Sequence, residues 1–408
     1  MHTVHCRLPG TGTTIFSTMS ALAARCNAIN LGQGFPDFNC SPALMEAVNQ
    51  AMRSGRNQYA PMSGLPELRQ AVAQKIRHDY GHTYDPDAEI TITAGATEAL
   101  FSAILAFTQP GDEVIVMDPS YDSYVPAIRM AGANPIRIPP RSDSLAPDIE
   151  RLANALSSRT RLLIINSPNN PTSTIWTETQ MQRLQSILAP TQTLLISDEV
   201  YEHIVFDEQR HESVTRYPAL AERSLVVSSF GKSFHITGWK IGTIAAPAPL
   251  TTALRQIHQF NVFSVSTPMQ AALAQYLQYQ QQHPQDSDHY QNLSAFYQRK
   301  RDMFRNGLTG TGFQLLPCAG TYFQIADIAG LMADKHIRAA IQANAQTTAT
   351  PYRPDDIIFC EWLTARIGVA AIPLSPFYAD SPQSSIIRFC FAKADATLEV
   401  ALQRLRGI

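Results

Sequence analysis

The chain has 408 residues, 45% hydrophobic and 16% charged, a make-up that suits a globular protein of about two domains. A formal net charge of −2 leaves no basic field for a nucleic acid or an anionic membrane. No apolar run approaches the ~18 residues of a membrane span.

The N-terminus MHTVHCRLPGTGTTIF has no cationic head followed by an apolar core, so no secretory signal is expected. The six cysteines are scattered, without CxxC or metal-ligand spacing. They read as reduced packing thiols, which fits a cytoplasmic location. Residues 1–40 read as irregular, and SPALMEAVNQAMRSG (41–55) as a helix. EITITAG (89–95) is then a strand and TEALFSAILAF (97–107) a helix. The strands EVIVMDP (113–119), RLLIINSP (161–168), TLLISDEVY (193–201), SLVVSSF (224–230) and IGTIAAP (241–247) follow at helix-sized intervals. Near-continuous apolar strands separated by helices predict a mainly parallel sheet covered on both faces. In such sheets ligands gather beyond the carboxyl ends of the strands. The polar stretch YLQYQQQHPQDSDHYQ (276–291) reads as an exposed join between helices, and 291–408 mixes helix with short strands such as SIIRFCFA (385–392). The expected organisation is an N-terminal arm contributing to a small domain (1–40), a large domain (41–290) and the rest of the small domain (291–408).

The chemistry collects after the strands. Ala94-Gly95-Ala96-Thr97-Glu98 is a small-residue turn opening a helix, whose free N–H groups and partial positive charge suit a phosphate. The same residues also suit a plain strand–helix turn with Thr97 as N-cap. Tyr121 and Tyr124 follow the next strand, and Asn169-Asn170-Pro171 forms a turn after the third. Asp198 interrupts an apolar run and, if buried, needs a partner. Tyr201 follows it. SSFGKSFHITGWKIG (228–242) carries Lys232 and Lys240 among small residues, with no other Lys, Arg, Asp or Glu in the stretch. A phosphate cradle, an aromatic face, an amide, a carboxylate, a phenol and an amine together suit a planar, phosphorylated aldehyde with a ring nitrogen. Pyridoxal phosphate (PLP) is that molecule: a lysine binds the aldehyde and a carboxylate keeps the ring nitrogen protonated.

LGQGFPDF (31–38), NQYAPMSGLPELR (57–69), AGATEAL (94–100), DPSYDSY (118–124), NSPNNPT (166–172), SDEVYE (197–202), SSFGKSFHITGWKIG, GTYF (320–323) and IIRFCFAK (386–393) occur in that order. On these motifs the chain resembles the class I aminotransferases of the fold-type I PLP enzymes. Within them it resembles the kynurenine/glutamine transaminase group, and most closely the bacterial methionine aminotransferases of that group. The resemblance implies an α/β fold: a large domain with a mostly parallel seven-stranded sheet between helices, plus a smaller α+β domain.

It also implies roles. Lys232 matches the lysine that binds the cofactor aldehyde, and Lys240 the cation at its phosphate, where many relatives carry Arg; lysine is a point charge there rather than a fork. Ser229, Ala96 and Thr97 match further phosphate contacts. Asp198 resembles the partner of the pyridine nitrogen, Tyr201 and Asn170 the pair on the ring oxygen, and Tyr121 the stacking aromatic. Tyr59 matches a tyrosine reaching the phosphate of a neighbouring subunit, which implies a homodimer with interfacial sites. Arg388 matches the clamp for the substrate α-carboxylate, with Gly34 and Asn170 beside it. Phe16, Tyr124 and Phe263 are placed by resemblance at the side-chain pocket. Aspartate-specific relatives use a second arginine there, whereas HQFNVFSVSTP (258–268) holds no Arg or Lys. A neutral sulfur-containing or aromatic donor and a 2-oxo acid acceptor, in a ping-pong reaction, are therefore expected. Elimination from cysteine S-conjugates is the alternative on the same scaffold. A transcription regulator with a similar ligand domain is not expected, because about 30 residues before LGQGFPDF are too few for a DNA-binding domain.

Overall fold

All six apolar segments become strands of one sheet, in a computed structural model that describes residues 6–9, 11–141, 144–283, 289–345, 353–379 and 384–408. In chain order the strands are β1 (Ile29–Asn30), β2 (Ile90–Thr93), β3 (Glu113–Met117), β4 (Asn134–Ile138), β5 (Thr160–Asn166), β6 (Leu194–Asp198) and β7 (Ser224–Ser229). They continue with β8 (Gly242–Ala245), β9 (Gln314–Leu315), β10 (Phe323–Asp327), β11 (Val369–Ala370), β12 (Ile372–Pro373) and β13 (Ile386–Cys390). The large sheet has the order β2-β8-β7-β6-β5-β3-β4. β8 runs antiparallel to both its neighbours, and the remaining pairs are parallel.

Alternate residues of these strands enter different cores. Val114, Val116, Leu162, Ile164, Ile196, Leu225 and Val227 pack on one face, with residues of the helix Gly95–Phe107. Ile115, Met117, Leu163, Ile165, Leu195 and Val226 pack on the other, against Met181, Leu184 and Leu188. Burial on both faces is why the segments read as continuous apolar runs. β4 escaped the sequence reading because it is an edge strand. NPIRI is only partly covered and carries a proline, which an edge tolerates.

The antiparallel sheet β12-β13-β10-β9 and the parallel pair β1-β11 lie over a separate core. That core joins Met19 and Leu31 to Phe304, Phe359, Phe389 and Leu398. The expectation of an irregular 1–40 is corrected here: α1 (Ile15–Arg25) lies within it, and its N-cap Thr14 accepts the Ser17 N–H at 3.3 Å. Met19 and Ala23, one turn apart, face the core. Three more helices lead into the large sheet or leave its first strand: α2 (Pro42–Arg53), α3 (Pro66–Tyr80) and α4 (Gly95–Phe107). Of the polar join at 276–291, residues 284–288 lie outside the described residues. Its flanks are helical, Thr267–Gln282 and His289–Gly307. Among the described residues no helix is long and apolar enough to cross a membrane.

Candidate active site

Beyond the carboxyl ends of β2, β5, β6 and β7 lies a cavity of about 130 Å³. Of the residues singled out in the sequence, Ala96, Thr97, Tyr121, Asn170, Asp198, Tyr201, Ser229, Lys232 and Lys240 line it.

At one end stands the N-terminus of α4, whose first-turn N–H groups have no partner within the helix. The helix begins at Gly95, so Thr97 lies inside its first turn and is not the N-cap. Gly95 has φ +77°, and a Cβ there would sit 3.2 Å from Cε and Nζ of Lys240. Glycine thus gives both the left-handed turn and room for the cation. β8 closes in from behind: a Cβ on Gly242 would lie 2.8 Å from the Gly95 carbonyl carbon and 2.9 Å from the Ala96 nitrogen. The Ala94 N–H is taken by Glu98 Oε2 at 3.1 Å. Ser229, ending β7, accepts the Gly231 N–H at 3.1 Å. Free N–H groups, a lysine and a serine hydroxyl together form a site that could hold a phosphate.

Asp198 ends β6 and is buried. The Tyr124 hydroxyl donates to its Oδ2 at 2.6 Å, and the Val200 N–H to its Oδ1 at 3.3 Å. Burial pushes its pKa up to about 6, against the pull of the Tyr124 hydrogen bond. Tyr124, expected at the side-chain pocket, is buried against Asp198 at the start of a short helix and does not line this cavity. Asn166, ending β5, went unnoticed in the sequence. Its Nδ2 donates to the Asp198 carbonyl at 2.8 Å, while its Oδ1 accepts the Asn170 N–H at 2.8 Å. The signal was its position as the last residue of an apolar strand.

Lys232 reaches the cavity from the turn after β7. Its Nζ lies 3.0 Å from the Tyr322 hydroxyl and 3.3 Å from the Gly34 carbonyl oxygen. Burial lowers its pKa to about 8, helped by the cations Arg388 and Lys240. Arg388, from β13, is 1% exposed. Its Nη1 donates to Asn170 Oδ1 at 2.5 Å and its Nη2 to the Gly32 carbonyl at 2.9 Å. The guanidinium carbon sits 3.8 Å from the centre of the Phe323 ring and 5.2 Å from that of Phe16. Its Nε is buried with no hydrogen-bond partner. Such a donor is costly until an acceptor arrives, and a carboxylate is the acceptor a guanidinium fits.

Two expected residues are not brought to this cavity. Tyr59 is 80% exposed and Phe263 62% exposed, and their rings meet edge-on at 5.0 Å on the surface. Phe263 lies beyond the end of helix Ala248–Asn261 with φ +65°.

The family model for aminotransferases of class I and II matches residues 27–405. The chain belongs to that family. It is 46% identical over 402 residues to a methionine aminotransferase of Escherichia coli strain K12, covering 98% of this chain and 97% of the relative. It is 38% identical over 410 residues to a probable N-succinyldiaminopimelate aminotransferase of Mycobacterium tuberculosis, again 98% of this chain and 97% of the relative. A crystal structure of an E. coli protein with a methionine aminotransferase function aligns over 100% of both chains with a TM-score of 0.90 and 45% identity. The aminotransferase is PLP-dependent, as its family is. Its residues fit that cofactor: a cradle for phosphate, a buried carboxylate for a ring nitrogen, and an amine that loses its proton more readily than an ordinary lysine.

Proposed function

We propose that this aminotransferase takes the amino group of neutral sulfur-containing or aromatic amino acids, methionine foremost, and passes it to a 2-oxo acid in a ping-pong reaction. The observation that carries the reading is the buried Arg388 fork with its unmet Nε, flanked by the Phe16 and Phe323 rings. It offers one carboxylate a partner, while the 258–268 stretch holds no Arg or Lys for a second. Similarity to a methionine aminotransferase supports the same side chain.

Bound PLP supplies an electron sink for the pair left at the substrate α-carbon. The chain does the rest. Arg388 and Asn170 hold the α-carboxylate and so fix the direction of the α C–H bond. Lys232 Nζ takes the α-proton and holds it for return. Asp198 would keep a proton on the ring nitrogen, and Tyr201 and Asn170 would donate to the ring oxygen. Ala96, Thr97, Ser229 and Lys240 would hold the phosphate, and Tyr121 would cover the ring. The lowered pKa of Lys232 suits a base working near neutrality.

The large domain at 41–290, the small domain built from 1–40 and 291–408, and a cytoplasmic location belong to the same proposal. So does a homodimer. The exposed rings of Tyr59, Phe260 and Phe263 are a surface that a second copy would cover, and Tyr59 and Phe263 would then serve the partner's site. A screen of oxo-acid formation over the common amino acids tests the substrate reading, with 2-oxo-4-methylthiobutyrate, 2-oxoglutarate and pyruvate as acceptors. Methionine and phenylalanine are expected to lead. A higher kcat/KM for aspartate than for both would overturn it.

A further inference from the structure

Tyr322 belongs to the GTYF motif, to which no role was assigned. It is fully buried, and its ring is fixed edge-on to Tyr201 at 5.2 Å and to Phe323 at 4.9 Å. The hydroxyl donates to the Gly34 carbonyl at 2.6 Å. A phenol has one proton to give, so toward anything else this oxygen is an acceptor. Lys232 Nζ donates to it at 3.0 Å and to the same Gly34 carbonyl at 3.3 Å. The three atoms form a closed triangle, built from residues 34, 232 and 322. Its closeness depends on Gly34, where a Cβ would lie 2.7 Å from Phe323 Cζ. The Tyr201 ring stands beside it, so its hydroxyl is a neighbour of the triangle.

We propose that Tyr322 is a catalytic residue of the transamination: with the Gly34 carbonyl, its hydroxyl holds the free Lys232 amine while that amine carries the substrate proton. The inference rests on the reading of Lys232 as the proton carrier. A neutral amine has two N–H bonds and one lone pair. With the two N–H bonds directed at Tyr322 Oη and Gly34 O, the lone pair occupies the remaining tetrahedral direction, away from both acceptors. The α-proton enters there and makes an ammonium. The two oxygens then face a positive charge, so both hydrogen bonds strengthen. The same proton leaves from the same position, and neither oxygen gains or loses one. Tyr322 therefore acts as an orienting acceptor and is not a second base.

Tyr322→Phe keeps the ring and removes only the hydroxyl. In the holoenzyme with methionine, kcat is expected to fall roughly tenfold to a hundredfold, the loss of one hydrogen bond to a charged group. KM should change little, because Arg388 is intact. The isotope effect on kcat with α-deuterated methionine should rise as proton transfer becomes slower. Cofactor-free protein gives a second readout, the pH dependence of trinitrobenzenesulfonate labelling at the Lys232 peptide. Asp198, Arg388, Lys240, Cys390, Tyr201 and Tyr322 face this amine. All but the Tyr322 hydroxyl stay in the variant, so the labelling midpoint should move to lower pH.

Borohydride reduction of both holoenzymes should leave the cofactor on the Lys232 peptide. A label elsewhere would refute the assignment of Lys232, and this inference with it. A label on Lys232 with kcat, isotope effect and midpoint all unchanged would refute Tyr322 alone and show it to be packing. If the phenylalanine variant does not fold, 3-fluorotyrosine at 322 weakens the oxygen as an acceptor while keeping the shape. It should move the midpoint and isotope effect the same way by less, and no movement would again refute the proposal.

Discussion

Asp198 shows what a single residue costs when it is placed for a ligand. In the folded chain its carboxyl titrates near 6, against an ordinary value of 3.8, chiefly because it is buried. A raised carboxyl pKa means that the folded state holds its proton more tightly than the unfolded one. Stability is therefore fully present below about pH 4 and declines as pH climbs through 6, by about 3 kcal/mol for a shift of this size. Asp198→Asn removes that cost and keeps an oxygen for the Tyr124 hydroxyl. Cofactor-free Asp198→Asn is expected to melt higher than the parent at about pH 7.5 and equally at about pH 4. With cofactor supplied, the variant should bind PLP more weakly and turn over far more slowly. Calorimetry at the two pH values, with and without PLP, checks both halves. At this scale the sequence was readable where a residue type was out of place: a lysine among small residues, an aspartate in an apolar run. It was unreadable where ordinary residues do the work. Asn166 and Tyr322 fit their surroundings as strand-end and core residues, and nothing in their spacing shows which atoms they meet. Resemblance alone puts Tyr124 at a side-chain pocket, and nothing local in the sequence shows that its hydroxyl meets Asp198.

The element that sets the phosphate end is α4, and what positions α4 is β8. The antiparallel strand passes so close that Gly242 has backbone of Gly95 and Ala96 where its Cβ would be. Backbone cannot swing aside as a side chain can. Gly242→Ala is expected to push β8 and the first turn of α4 apart, at roughly 1–3 kcal/mol in stability. Because the turn that opens carries the phosphate contacts, the variant should also release PLP faster on dialysis. Denaturant midpoints and cofactor absorbance after dialysis measure the two effects, and a variant that loses stability but keeps its cofactor would separate β8 from the cradle. Most of this layer was legible, since strands buried on both faces leave long apolar runs. The losses were β4, exposed at the edge, and α1, whose small and hydroxyl-bearing residues carry little apolar contrast.

At the scale of the whole molecule, a site completed by two chains makes a sharp expectation. If Tyr59 serves the partner's phosphate, each working site needs Lys232 from one chain and Tyr59 from the other. A heterodimer of Lys232→Ala and Tyr59→Ala chains then has one intact site and one doubly defective site. At limiting PLP it is expected to recover about half the parental activity, since the Tyr59→Ala parent lacks one hydrogen bond to a charged group at both sites. A heterodimer no more active than the Tyr59→Ala parent, or an active species that sediments as a monomer, would show that the sites are self-sufficient. The sequence pointed to this surface only through motif resemblance, because an exposed tyrosine in a loop carries no local signal of what covers it.

β1 pairs with β11, Ile29 opposite Val369, and the Cys390 N–H closes on the Leu31 carbonyl at 2.7 Å. That pairing sets a timetable for synthesis. Everything the large sheet needs has left the ribosome once Ala245 and the helices after it are out, and domains commonly fold in that N-to-C order. Residues 29–34 must wait for β11 and β13, which are made long after them. A nascent chain can thus make the PLP-facing turns of the large sheet long before Arg388 exists, and until then it has no guanidinium to meet a substrate carboxylate.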